Sequence, residues 1–308
     1  MRSFVPVQPP FLEYGLLHAH YRYAEYVPDE RLRDVICCYW SSAAHPQQGE
    51  QLHRIVPDGC IDIIFDLDAR QMNGAFLTSL MRSYEVMHLD ESMAFFGVRM
   101  YADQVRRLFG YAGAELTGYH VGLEQWLGRD AASIVERVIL ADNMSERIQL
   151  VDTWLLHLLY EQDDQASSLL HTVVQQIDHK HGNVSIRQLA EDTHYSERTL
   201  RRLFQQELGM APKEWTDIIR FQAVLRYCQL TDQRLHSEQH ASHPKVIAGH
   251  PSHQTQSRTG NMDRESRLSL SELATAFGYY DQAHLNLAFN KYYGLTPGQL
   301  RLRQIYTN

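Results

Sequence analysis

Residues 182–229 read GNVSIRQLAEDTHYSERTLRRLFQQELGMAPKEWTDIIRFQAVLRYCQ, and their spacing decides the C-terminal half of the chain. Ser185 stands three residues before Gln188, the arrangement of a capping box, and Ile186, Leu189 and Ala190 then share one face of a short helix. Thr193, His194 and Tyr195 supply a turn. Ser196 can cap a second helix, whose Leu200, Leu203 and Phe204 form an apolar stripe able to pack on the first. The opposite face of that second helix carries Glu197, Arg198, Arg201, Arg202 and Gln205. Two short helices in this order, with donors outward on the second, are what a helix-turn-helix needs to seat one helix in a major groove.

The pattern returns near the C-terminus. Ser269, Leu270, Glu272, Leu273 and Ala274 repeat Ser185, Ile186, Gln188, Leu189 and Ala190 at a constant offset. Leu285, Phe289, Gly294 and Pro297 repeat Leu200, Phe204, Gly209 and Pro212 at an offset one residue larger, the extra residue falling in the turn around Tyr279 and Tyr280. A capping pair, an apolar set and a Gly-to-Pro helix boundary in the same order twice indicate an internal duplication.

With its linker segment APKEWTDIIRFQAVLRYCQ and its second motif LSELATAFGYYDQAHLNLAFNKYYGLTPGQLR, the stretch 182–303 resembles the DNA-binding domain of the AraC/XylS family of transcriptional regulators. The resemblance implies an all-α C-terminal domain with two helix-turn-helix motifs, at about 185–206 and 269–291, joined by a linker helix at about 212–229. It also implies promoter DNA as partner. RNA polymerase, a small-molecule effector and a second subunit of a homodimer are further candidate partners, and no cofactor or metal is expected.

Sequence-specific reading needs base-edge donors and acceptors on the inserted helix and phosphate contacts that hold its register. In the first motif Arg198, Arg201, Arg202 and Gln205 supply them, with Ser196 and Thr199 near the helix N-terminus. In the second motif the outward candidates are Gln282, His284, Asn286 and Asn290, beside Asp281, Ala283 and Leu287. Members of the resembled family frequently carry Arg and Lys where this chain has Leu287 and Asn290, so the second motif is expected to bind more weakly.

Residues 231–267, between the motifs, are polar and carry five histidines, His236, His240, His243, His250 and His253. Such composition buries too little apolar surface to offset ordering, so a disordered insertion is expected there. Spaced histidines without cysteine or carboxylate partners are weak metal ligands.

The chain of 308 residues has room for two domains, 1–164 and 165–308, with a boundary at the acidic run EQDD, 161–164. Its net charge of −8 conceals a division between them. Residues 165–308 hold 16 Lys and Arg against 13 Asp and Glu, whereas residues 1–164 hold 13 against 24. Only the second half suits a phosphate backbone, and its excess is small enough that affinity must rest on a few placed arginines. No apolar run reaches the roughly 20 residues needed to span a bilayer, and the first residues show no signal-peptide pattern, so a cytoplasmic protein is expected. Cys37, Cys38, Cys60 and Cys228 form no CxxC pair and read as reduced thiols.

The N-terminal half reads as β-rich with helices following, which makes the whole chain α+β. The first 30 residues are expected to wrap the surface of the following domain. VICCYWSS and HRIVPDGCIDIIFDLD read as strands, Asn73-Gly74 as a hairpin turn, and ESMAFFGVRM as a closing strand. ADQVRRLFG stops a short helix at Gly110, and two amphipathic segments follow at 130–140 and 145–160, a helical pair that could pack as core or as a dimer surface. The phrases CYWSS, VPDGCIDIIF, FFGVRM and RRLFGYAGAELTG resemble an uncharacterised sensor-type domain found in front of AraC-type modules, which implies regulatory input. His53, Asp58, Cys60 and Asp62 are close in sequence, but strand alternation is expected to separate them. No nucleophile elbow, phosphate loop or HxH pair appears, so the chain is not expected to be an enzyme. Two alternatives stand beside the regulator reading, a metal-dependent or enzymatic N-terminal domain with DNA binding as targeting, and a co-regulator acting mainly through protein partners.

Overall fold

The computed structural model describes residues 2, 4–9, 21–44, 52–68, 74–88, 92–116, 120–161, 168–241 and 268–300. Runs of alternating residue type build the first half, giving β1 (Tyr21–Tyr26), β2 (Ile36–Ala44), β3 (Leu52–Ile55), β4 (Cys60–Asp66), β5 (Ala75–Thr78), β6 (Glu85–His88), β7 (Met93–Tyr101) and β8 (His120–Gly122). Six of them form an antiparallel sheet in the order β1-β2-β7-β4-β5-β8. The other two, β3 and β6, pair as a separate ribbon. Opposite Ile61, Ile63 and Phe65 on β4 stand Met100, Val98 and Phe96 on β7, and all six are fully buried. Because side chains alternate across a strand, Asp62 and Ile64 face the other way, opposite Arg99 and Gly97.

The buried face is covered by α1 (Val105–Phe109), α2 (Leu123–Leu127), α3 (Arg129–Leu140) and α4 (Met144–Glu161). Gly110 ends α1 in the left-handed conformation, φ 76°, as its position after Phe109 predicts. The apolar rows of the α3/α4 pair, Ile134, Val135, Val138, Val151 and Leu155, are spent on this core rather than on a free surface.

The second half is helical, with α5 (Ser168–His179), α6 (Ile186–Thr193), α7 (Glu197–Leu208), α8 (Pro212–Ala241), α9 (Leu270–Ala276) and α10 (Gln282–Tyr292). The protein is therefore α+β, with strands and their helices first and an all-helical region after. Helix α8 runs through the centre, burying Trp215, Ile218, Ile219, Phe221, Val224, Leu225 and Cys228, apolar positions on more than one face, as a helix between two packed layers requires.

Three expectations change. The linker helix continues to Ala241 instead of ending near 229, so residues 231–241 are helical rather than part of a disordered insertion. The rest of that insertion, with His243, His250 and His253, lies outside the described residues. The expected Asn73-Gly74 turn falls at Asn73 outside the described residues, while β4 and β5 pair antiparallel on either side of it. The N-terminal residues Phe4, Val7 and Gln8 are buried rather than wrapped on the surface. Helix α5 was not expected, although Leu170, Val173, Val174 and Ile177 mark its buried face.

Among the described residues no helix is long and apolar enough to cross a membrane.

Candidate nucleic-acid interface and its control surface

Both helices of the first motif are capped by their serines, although the Gln188 side chain donates to Asp192 at 2.7 Å instead of completing a capping box. Ser185 accepts a hydrogen bond from the backbone N–H of Gln188 at 3.0 Å, and Ser196 accepts one from Thr199 at 3.1 Å. Between them His194 adopts the left-handed conformation, φ 60°, and closes α6. Leu189, Ala190, Leu200 and Phe204 are buried where the two helices meet. Arg198, Arg201, Arg202 and Gln205 are exposed on the far side of α7. Arg201 pairs with Glu197 one turn earlier, an exposed i,i+4 pair worth only ~0.3–0.5 kcal/mol and easily exchanged for a phosphate or base. The Ser196 and Thr199 hydroxyls bond each other at 2.9 Å beside the helix N-terminus.

The second motif repeats the architecture. Ser269 and Glu272 form a reciprocal capping box, and Asp281 caps α10 by accepting from the His284 N–H at 2.8 Å. Gln282, Ala283, His284, Leu287 and Asn290 are exposed. His284 is engaged locally, its Nδ1 accepting from the Tyr280 N–H at 3.4 Å and its ring edge-on to Tyr279. Asn286 departs from the expected outward set, being half-buried with its side-chain oxygen enclosed. The outer face of α10 thus offers fewer charged donors than that of α7.

One side chain ties the motifs together. Arg220, buried on α8, donates to the Gly182 carbonyl at 2.8 and 3.3 Å and to the Gly278 carbonyl at 3.2 Å. Gly182 immediately precedes the first motif and Gly278 lies in the turn of the second. Both have positive φ, and a Cβ would collide with the α8 backbone at Gly182 and with Asn183 at Gly278.

The β unit packs on the opposite side of this frame. Arg106 donates to Glu207 on α7 at 2.7 Å, and Arg82 bonds the Gly209 carbonyl that ends α7. Gly59, φ 74°, lies against Trp215 on α8, and Tyr84 lies against Gly294 after α10. The N-terminal strap fills the seam. Gln222 on α8 accepts from the Val7 N–H at 2.7 Å and donates to the carbonyls of Val7 at 3.2 Å and Pro57 at 2.8 Å. The next residue, Gln8, donates to Asp58 at 2.7 Å and to the Val56 carbonyl at 3.2 Å.

Asp58 leads into the open face of the six-stranded sheet, where the β3/β6 ribbon helps enclose a cavity of about 140 Å³. His53, Asp58, Cys60 and Asp62 all line it, contrary to the expectation that strand alternation separates them. Cys60 and Asp62 are two apart on β4 and share a face by that very alternation. Burial pushes the Cys60 thiol up to about 12, so it is no ready thiolate, and pushes the Asp62 carboxyl up to about 6 against the pull of Arg99. Among the described residues, no three His, Cys, Asp or Glu side chains come together as metal ligands.

Residues 177–217 match the family described as bacterial regulatory helix-turn-helix proteins, AraC family. The segment from α5 into the start of α8 is thus an AraC-type helix-turn-helix, the kind that bacterial DNA-binding regulators carry. In front of this AraC-type module, residues 24–122 match a domain of unknown function (DUF6597). No curated protein matches the chain. Among solved structures it is similar to ToxT from Vibrio cholerae, with TM-score 0.39 and 9% identity over 92% of this chain and 98% of that one. It is similar also to ToxT bound to (E)-4-(8-methylnaphthalen-1-yl)but-3-enoic acid, with TM-score 0.38 and 10% identity over 92% and 99%. For unsaturated fatty acid bound ToxT the TM-score is 0.35, with 10% identity over 92% and 95%.

Proposed function

We propose that this regulator reads two successive major-groove segments with α7 and α10, held in fixed relation by α8, and that residues 1–164 control that reading. Arg198, Arg201, Arg202 and Gln205 contact bases and phosphates, with Ser196 and Thr199 at the start of α7. Gln282, His284 and Asn290 make the weaker second set. Asn286, being half-buried, supports α10 more than it reads DNA. The observation that carries the reading is Arg220, which bonds the chain just before one motif and the turn of the other from a single buried guanidinium. Two helices held on one buried hub move together, so their spacing can match the pitch of a duplex only as a unit.

Control follows from the seam, because any shift of the strap or of the 56–59 loop disturbs α8, the element both motifs share. A homodimer would place two such pairs on a longer operator. Selection of genomic fragments by the full chain, followed by competition with random duplex at fixed salt, tests the reading. Enrichment of a common two-part site supports it, and no preference over random DNA overturns it.

A further inference from the structure

The cavity on the open face of the sheet is walled largely by apolar and aromatic side chains, among them Tyr21, Tyr23, Trp40, Phe76, Phe95 and Met87. The Trp40 indole lies over Gly97, where any Cβ would collide with it, so the sequence keeps a glycine there for the ring to lie on. At one end stands Arg99, only 4% exposed. Its Nε and Nη2 donate to Asp62 at 3.2 and 3.1 Å, and Nε lies 3.2 Å from Asp58. Its Nη1 is enclosed and, among the described residues, has no hydrogen-bond partner, the nearest carboxylate being Glu25 at 3.7 Å.

The neighbouring carboxylates have donors of their own. Asp58 accepts from the Cys60 N–H and from Gln8, and Asp62 accepts from the Trp40 indole N–H at 3.1 Å. The group left over is therefore a donor, and a buried guanidinium N–H without an acceptor is costly. Charge narrows the class further. Three carboxylates already surround one guanidinium, and His53, held neutral by burial with its pKa down at about 4, adds no positive charge. An anionic ligand would add a further negative charge to this enclosure. A cationic one would crowd Arg99 and leave Nη1 unanswered.

We propose that this cavity binds a neutral, ring-sized, largely apolar molecule whose carbonyl or hydroxyl oxygen accepts from Arg99 Nη1. The size agrees with the volume, since an apolar cavity of ~150 Å³ holds one benzene ring. The proposal deepens the reading of residues 1–164 as a control unit, because Asp58 joins Arg99 to Gln8 and so to the strap on α8. The binding itself needs no DNA.

Calorimetry or ligand-observed NMR on the full chain, without DNA, compares four probes of one ring each: acetophenone, benzoate, benzylamine and ethylbenzene. We expect acetophenone to bind at least about tenfold more tightly than the other three, since a site built to satisfy a buried donor rejects ligands that cannot. Ile64→Trp, which fills the cavity from a half-buried position, should abolish binding. Arg99→Lys, which keeps the charge but removes the forked donor, should lower acetophenone affinity about tenfold and leave ethylbenzene unchanged. Should Arg99→Lys fail to fold, the probe ranking and Ile64→Trp decide the matter. Tighter binding of benzoate or benzylamine than of acetophenone overturns the proposal, as do equal binding of all four, binding undiminished in Ile64→Trp, and no saturation by acetophenone at ~10 mM. If acetophenone binds as expected while the chain shows no preference among duplexes, the DNA reading fails and the ligand site stands.

Discussion

Gln222, in the middle of α8, is bonded in both directions to the backbone of Val7, accepting from its N–H at 2.7 Å and donating to its carbonyl at 3.2 Å. The two residues lie at opposite ends of the chain's logic, one in the strap that precedes the β unit and the other on the helix that joins the DNA-reading motifs. Their contact is buried, so it cannot be exchanged for water without cost.

Replacing Gln222 by Leu keeps the volume but orphans the Val7 N–H and the Pro57 carbonyl. We predict a loss of about 1–3 kcal/mol in unfolding free energy, read from the denaturant midpoint, with faster proteolytic clipping near the strap. An unchanged midpoint would mean that the strap contributes nothing to the seam.

The two outer faces should not weigh equally. Arg201→Ala or Arg202→Ala should each lower operator affinity by ~1–3 kcal/mol where the side chain reaches a base, whereas Leu287→Ala, 68% exposed on α10, should change it little. Titrations by fluorescence anisotropy at one salt concentration measure this, and equal losses would contradict the ranking.

Arg220→Met removes the bonds to Gly182 and Gly278 while leaving both outer faces intact. Affinity for a full two-part site should fall by roughly tenfold, about 1.4 kcal/mol, while affinity for a half-site read by α7 alone should hold. A parallel loss on both sites would point to general unfolding instead, which circular dichroism of the variant would reveal.

The pH dependence of stability should carry the mark of Asp178 on α5. Burial, with only a distant Arg2 at 3.8 Å to oppose it, pushes this carboxyl from 3.8 up to about 8. The folded state therefore holds a proton that the unfolded chain has released above its ordinary value. Its contribution to stability is full below about pH 4 and declines as pH rises toward 8. Thermal melts between pH 5 and 8 should fall less steeply for Asp178→Asn than for the native chain, and equal slopes would assign the dependence elsewhere.

The helix-turn-helix motifs were legible because their signals are local. Ser185, Ser196 and Ser269 act as caps where the spacing put them, and the buried sets on α7 and α10 follow the repeated apolar positions. What escaped was mostly non-local. Nothing near Gln8 announces that it will reach Asp58, and the fold of the β3/β6 ribbon that brings His53 to the cavity Asp62 also lines is a tertiary event. Two misses were avoidable. The common face of Cys60 and Asp62 follows from a period of two, and α5 shows its apolar row at helical spacing. The extension of α8 through residues 231–241 leaves no mark in their apolar content. They contain no Gly or Pro, and Gln, Leu and Glu sustain a helix by propensity without packing.

Hydroxyl-radical footprinting of the full chain on a selected operator tests the central claim most directly, since α7 and α10 on one rigid frame must protect two places on one face of the duplex. The account predicts two protected segments per subunit centred about one helical turn apart, ~34 Å. Protection of a single segment, or of two separated by a half turn, would contradict it.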